Sequence, residues 1–216
     1  AGTPISSEGE ERAVKEIAKA GLKAEICALA RVLKEDIDAA IKCDVDTVHT
    51  FVSTSDVQMK YALGMNREQA LSKAIESVEY VKERGLICEF SPMDATRTST
   101  DFLAQVCKAA EEAGADRINL PDTVGVMNPV TMRKLIEDIT KIVKAPVSVH
   151  CHNDFGLAVA NSLAGVEGGA SQVHVCVNGL GERAGNAALE EVVMALHLIH
   201  RLKTGVNTKL IYETSR

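Results

Sequence analysis

The chain has 216 residues, of which 46% are hydrophobic and 25% charged, with a formal net charge of -6. That balance suits a soluble globular core; no basic run invites nucleic acid, and no apolar run nears the ~18 residues of a membrane span. The opening AGTPISSEGEER lacks the basic and apolar regions of a signal peptide, and six cysteines without a C-x-x-C pair read as reduced thiols in a cytoplasmic protein.

Two patterns alternate along the chain. Strand-type apolar runs fall at 24–30 (AEICALA), 46–53 (DTVHTFVS), 86–92 (LICEFSP), 116–122 (DRINLPD), 146–154 (PVSVHCHND) and 172–179 (QVHVCVNG). Stretches of helical period separate them. From Arg67 to Gly85, Ala70, Ala74, Val78 and Val81 recur at three- and four-residue steps, and Gly85 stands at the C-cap. TDFLAQVCKAAEEAG follows the same logic, with Gly114 as its stop. NPVTMRKLIEDITKIV opens with Asn128 as N-cap and Pro129 at the first helical position.

Strand–helix alternation predicts an α/β fold with a parallel sheet, in one domain over residues 1–216. No glycine-rich phosphate turn follows an early strand, which speaks against a doubly wound sheet. Polar residues gather instead at the C-terminal ends of the strands: His49, Ser91, Asp122, Thr123, His150 and His152 among them. That placement matches the catalytic face of a (β/α)8 TIM barrel. Only about six of the eight βα units are visible, and AGTP reads like the end of a strand. The expectation is a barrel lacking its first two strands, with edges that favour a homo-oligomer.

His150 and His152 carry the sharpest chemical signal. Spacing two on a strand puts both rings on one face and Cys151 on the other. Two inward imidazoles are ready metal ligands, although two hydrogen-bonded histidines would give the same short pattern. The loop NGLGERAGN (178–186) adds Gly179, Gly181 and Gly185, which permit tight turns and close approach to a ligand. Asn186 offers an oxygen to a mixed site for Mn, Mg, Zn, Co or Fe. His174 falls on a strand without an evident role, and His197 and His200 read as members of a solvated or packed helix face.

HCHNDFGLAVANSLAGVEGGA, NGLGERAGNAALEEVVMAL and LPDTVGVMNP together closely resemble the alkylmalate synthase family, which includes 2-isopropylmalate, citramalate and homocitrate synthases. The resemblance covers essentially the whole chain and is strongest to the 2-isopropylmalate synthases of the leucine pathway. It implies a metal-dependent acyltransferase on a (β/α)8 barrel that condenses acetyl-CoA with a 2-oxo acid. It assigns the metal to His150, His152 and Asn186, a substrate-site role to His49, the oxo acid's carboxylate to Thr123, and pocket positions to Ser91 and its neighbours Glu89 and Met93. The family's further ligand, an aspartate in an R-D-G motif, has no counterpart here. Met93 stands where the family usually has glutamate.

The chemistry suits these residue types. The metal polarises the oxo group, a base takes a proton from the acetyl methyl, and the alkoxide formed on attack is stabilised by the metal and nearby donors. A related lyase would need a cysteine in the glycine loop, and a carboxyltransferase domain a lysine at the strand ends; neither is present. A non-catalytic fragment that assembles with another chain is the reading from a different class. Among substrates, Glu89 is expected to repel the second carboxylate of 2-oxoglutarate, because burying two like charges without a counter-ion is strongly unfavourable. That leaves 2-oxoisovalerate or pyruvate, and Met93 favours the branched acid.

Overall fold

The computed structural model describes residues 2–216. Each apolar run forms a strand: β1 (Cys27–Arg31), β2 (Thr47–Ser53), β3 (Ile87–Met93), β4 (Arg117–Asp122), β5 (Val147–Cys151) and β6 (Gln172–His174). Strand order follows chain order, and the β1–β2, β2–β3, β3–β4 and β5–β6 pairs are parallel. α1 (Glu8–Ala18) precedes β1 and α2 (Lys34–Ile41) follows it. α3 (Asp56–Gln58) runs into a π-helical turn, Met59–Leu63, before α4 (Arg67–Lys82). α5 (Thr100–Glu112), α6 (Pro129–Ile139), α7 (Ala158–Glu167) and α8 (Leu189–Leu198) supply the later crossovers, and α9 (Ile211–Ser215) comes last. Parallel neighbours need such crossovers, so the alternation is the expected partial (β/α)8 class.

The chain divides into two compact units, residues 1–119 with 143–145, and residues 120–142 with 146–216. In the first, strand alternation decides what is buried against helices. Ala28 and Ala30 of β1, Val48 of β2, and Cys88 and Phe90 of β3 are fully buried. α2 packs on β1, α4 on β2 and β3, and α5 on β3. The expected stripe of Ala70, Ala74, Val78 and Val81 is the buried face of α4. Its N-terminus is closed by a capping box, Asn66 accepting from Gln69 N and Gln69 from Asn66 N, both at 2.9 Å. Gly85 (φ 74°) and Gly114 (φ 105°) follow α4 and α5 in the left-handed region, as stop signals should.

In the second unit, Asn128 caps α6 as expected and Pro129 takes the first position. Asn128 Oδ1 accepts from Thr131 N at 3.1 Å, and Thr131 Oγ1 from Asn128 N at 3.2 Å. α7 is built from small residues because it lies close to β5 and α6. A Cβ on Gly165 would stand 2.7 Å from Val149 Cγ1, and one on Gly168 2.7 Å from the Arg133 carbonyl oxygen.

Three expectations change in detail. The run expected as strand to 179 is strand only to His174. Beyond it the chain pairs with its own return segment, Cys176 N donating to Ala187 O at 3.0 Å and Leu189 N to Cys176 O at 2.8 Å. β5 likewise ends at Cys151, and His152 continues as a bridge to Asn186. The acidic opening, read only as a non-signal, contains α1. Ser7 caps it, accepting from Glu10 N at 3.1 Å, and Glu8, Glu10 and Glu11 occupy its first turn, where carboxylates suit the helix dipole. Gly2 bridges Ala28 in the parallel sense, its carbonyl accepting from Leu29 N at 2.9 Å.

Asn128→Ala removes the side-chain acceptor at the start of α6. It is expected to cost ~1 kcal/mol, seen as a lower urea midpoint with an unchanged slope.

Candidate functional site

Alternation along β5 sorts its side chains. Val149 and Cys151 are fully buried, while His150 and His152 occupy the opposite face. The two Nε2 atoms lie 3.2 Å apart, and Asn186 Nδ2 lies 3.1 Å from His150 Nε2. Turning the Asn186 amide over puts Oδ1 at the same place, since the two assignments differ only in the hydrogen-bond network. Bonds of ~2.1 Å to one ion, at octahedral to tetrahedral angles, separate neighbouring ligand atoms by about 3.0–3.4 Å. His150 Nε2 thus stands at ligand-like spacing from both His152 Nε2 and the Asn186 amide, as neighbours on one divalent cation would. Burial, and then the Arg183 charge, lower the His152 pKa, which keeps the neutral imidazole a metal requires.

The glycine loop is shaped around Asn186. A Cβ on Gly181 would fall 1.8 Å from Asn186 Oδ1, so any other residue there displaces the amide. Gly185, at φ 92°, brings its Cα so near the Gly179 carbonyl that a Cβ would meet that oxygen at 2.1 Å. Asn186 N donates to Gly179 O at 2.9 Å, closing the turn. Gly181 is thus a packing requirement of the Asn186 side chain, and Gly185 of the close backbone turn at Gly179.

Other residues of this unit fall into place around that centre. His174 is the register partner of His150, with ring centroids 5.5 Å apart in an edge arrangement. Strand register was the signal that could have paired them. His197 is exposed on α8, whereas His200 lies beyond the helix end at Leu198, with Nδ1 3.8 Å from Glu167 Oε1, so the two do not share a helix face. Thr123 directly follows β4, and its carbonyl accepts from Arg183 Nη2 at 2.7 Å. Asp122 accepts from Val126 N and Met127 N, both at 3.1 Å, and so orders the loop that carries Thr123.

The first unit holds a second polar cluster. His49 Nε2 is 2.6 Å from Ser91 Oγ, which also accepts from Asn119 Nδ2 at 2.7 Å. Glu89 and Ser91 are buried and Met93 is half-buried, with Phe90 packed toward the helices. Glu89 has a counter-ion: Arg117 Nε lies 3.6 Å from Glu89 Oε2, and Arg117 also pairs with Glu25. Asn119 and Arg117 were not singled out from sequence; their alternation within DRINLPD was the available signal. Asp94 is committed to Arg97, whose Nη2 donates to Oδ2 at 2.7 Å, and to Ser55.

Cys27, His49 and Glu89 form another group of donors, their ligand atoms within 4.8 Å of one another. Burial, and then Glu89, push the Cys27 thiol up to about 12, so it stays protonated near neutrality. A cation there would have to displace that proton, and His49 Nε2 is already against Ser91.

Gly181→Ala is expected to weaken Mn²⁺ binding at least tenfold, measured by titration calorimetry, because it displaces a ligand without touching either histidine. The thiols give a second outcome. Burial raises Cys88, Cys107 and Cys151 to about 12 as well. A raised thiol pKa favours the neutral form, so these cysteines should resist iodoacetamide at pH 8 in the native chain. All six should react once it is unfolded.

Residues 1–216 match the HMGL-like family. The chain is 59% identical over its full length to the probable 2-isopropylmalate synthase of Methanopyrus kandleri, covering 43% of that protein. It is 57% identical to the 2-isopropylmalate synthase of Methanocaldococcus jannaschii, covering 42%, and 53% identical to the homocitrate synthase AksA of Methanopyrus kandleri, covering 54%. In each case all of this chain is aligned, so it spans about half the length of these curated relatives. Among solved structures, the HMG-CoA lyase of Bacillus subtilis superposes with a TM-score of 0.81 at 20% identity, over 94% of this chain and 73% of the lyase. The carboxyl transferase domain of Rhizobium etli pyruvate carboxylase gives 0.76 at 19%, over 95% and 36%. These two share the fold. From its first residue to its last, the chain belongs to the HMGL-like family.

Proposed function

We propose that this chain carries the metal and 2-oxo-acid site of an acetyl-CoA-dependent 2-isopropylmalate synthase. The observation that carries the reading is the approach of His152 and Asn186 to within 3.1–3.2 Å of His150 Nε2, backed by similarity, over all of this chain, to synthases of that type. A divalent cation held there would act as a Lewis acid toward the oxo group of the substrate.

The chain's own residues do the rest of the binding. Thr123, on the loop braced by Asp122, offers its hydroxyl to the substrate carboxylate. Gly179 and Gly181 keep the backbone of the loop low enough for a ligand to approach. In the first unit, Asn119 donates to Ser91 Oγ and so leaves the hydroxyl proton of Ser91 to be directed elsewhere, toward His49 or a bound ligand. His49 Nε2, against Ser91 Oγ, is the ring nitrogen there placed to hold or pass a proton.

The substrate is 2-oxoisovalerate in this reading. Arg117 beside Glu89 removes the premise that a second substrate carboxylate would meet an uncompensated charge. The preference therefore rests on the apolar thioether of Met93 and on the relatives, and a homocitrate synthase at 53% identity supports 2-oxoglutarate as the second reading. The contrast with pyruvate rests on two extra methyl groups, each worth ~1–3 kcal/mol of discrimination in an apolar pocket. Release of CoA thiol by the full-length protein is to be compared across 2-oxoisovalerate, pyruvate and 2-oxoglutarate. The highest kcat/KM is expected for 2-oxoisovalerate. A win for 2-oxoglutarate replaces the substrate assignment, and no thiol release with any oxo acid removes the condensation itself.

A further inference from the structure

A loop of nine residues with three glycines is expensive to order, yet Asn186 at its end must be held to within a few tenths of an ångström if it is to serve His150. Two backbone bonds contribute: Asn186 N to Gly179 O and Asn153 N to Gly185 O, both 2.9 Å. Asn178, at the start of the loop, is held by Glu190 and Ser215, and the tie nearest Asn186 from a charged side chain is Arg183, the one basic residue of the loop. Its guanidinium forms a fork on Asp154, Nε to Oδ1 at 2.9 Å and Nη2 to Oδ2 at 3.0 Å. The same Nη2 donates to the Thr123 carbonyl at 2.7 Å.

The surroundings are built to accept this contact. Arg183 holds φ 57°, a left-handed conformation that side chains other than glycine rarely take. Gly125, on the loop after β4, leaves room for the acceptor: a Cβ there would stand 2.6 Å from Asp154 Oδ2. Asp154 is two residues beyond His152, and Thr123 is the residue proposed for the substrate carboxylate. One side chain thus ties together the loops that follow β4, β5 and β6.

We propose that Arg183 is a positioning residue for the metal centre: by clamping Asp154 and the Thr123 carbonyl, it closes the glycine loop and fixes Asn186 beside His150. This rests on the metal reading of His150, His152 and Asn186. The role has a sign that separates it from simple electrostatics. A guanidinium near the site repels a cation, so its removal should tighten metal binding if charge were all that mattered. Positioning gives the opposite result, because a loosened Asn186 is a lost ligand.

The test compares Arg183→Ala and Arg183→Lys with the unaltered chain, using Mn²⁺ as the probe. Mn²⁺ affinity, read from the electron paramagnetic resonance signal of free ion, is expected to fall about tenfold or more in R183A. R183K keeps the charge but loses the fork, and is expected to fall in between. In the metal-free chain, hydrogen exchange at the amides of Gly185 and Asn186 should accelerate in the same order, while exchange in β5 stays as it was. Mn²⁺ affinity that is unchanged or tighter in R183A overturns the proposal, as does weaker binding with no change in loop exchange. An unaltered chain that takes up no Mn²⁺ removes the metal reading and, with it, the cation half of this role; loop exchange then reports alone on whether Arg183 closes the loop.

Discussion

The period-two alternation of a buried parallel strand is the constraint on which this molecule depends. On β5 it sends Val149 and Cys151 toward the helices and His150 and His152 to the other face. The apolar half of that division anchors the polar half. Cys151 is fully buried, and Gly165 lets α7 lie directly on Val149. The backbone of β5 therefore cannot shift without opening a packed layer, and the imidazoles inherit that rigidity.

Strand placement alone does not make a ligand set. The third donor, Asn186, comes from a loop, and loops lack the lateral support of a sheet. Here the loop substitutes steric and polar constraints for strand pairing. Glycines at 179, 181 and 185 allow the backbone to fold tightly around the asparagine side chain. The His152–Asn186 bridge continues the hydrogen bonding of β5 past its formal end. Arg183 then fastens the exposed side of the loop with charge-assisted bonds.

The first unit handles buried polarity differently. Glu89, at 3% exposure, would be costly without compensation, and Arg117 supplies it. Asp94, fully buried, is met by Arg97 and Ser55. Ser91 is shared between His49 and Asn119. His49, Glu89, Ser91, Arg117 and Asn119 alternate with the apolar residues of β2, β3 and β4, so an apolar face and a polar row come from the same short segments. Such a row is stable only because nearly every member has a partner. Asn119 Oδ1 is an exception, buried without one.

The sequence by itself determined the element types, their order, the helix caps at Asn128, Gly85 and Gly114, and the facing of His150 and His152. Each follows from local rules: periodicity, φ preference and side-chain capping act within a few residues. The H-x-H pair and the glycine loop also carried the family resemblance. Tertiary structure alone decided that β6 stops at His174, because the competing pairing of Cys176 with Ala187 and Leu189 joins residues about eleven apart. It also decided that Glu89 has a counter-ion, since Arg117 arrives from the next strand by register. Likewise Gly181 is glycine on account of Asn186, and Arg183 reaches residues 29 and 60 positions away. Pairing across such distances depends on how the strands align, and no local pattern in the chain encodes it.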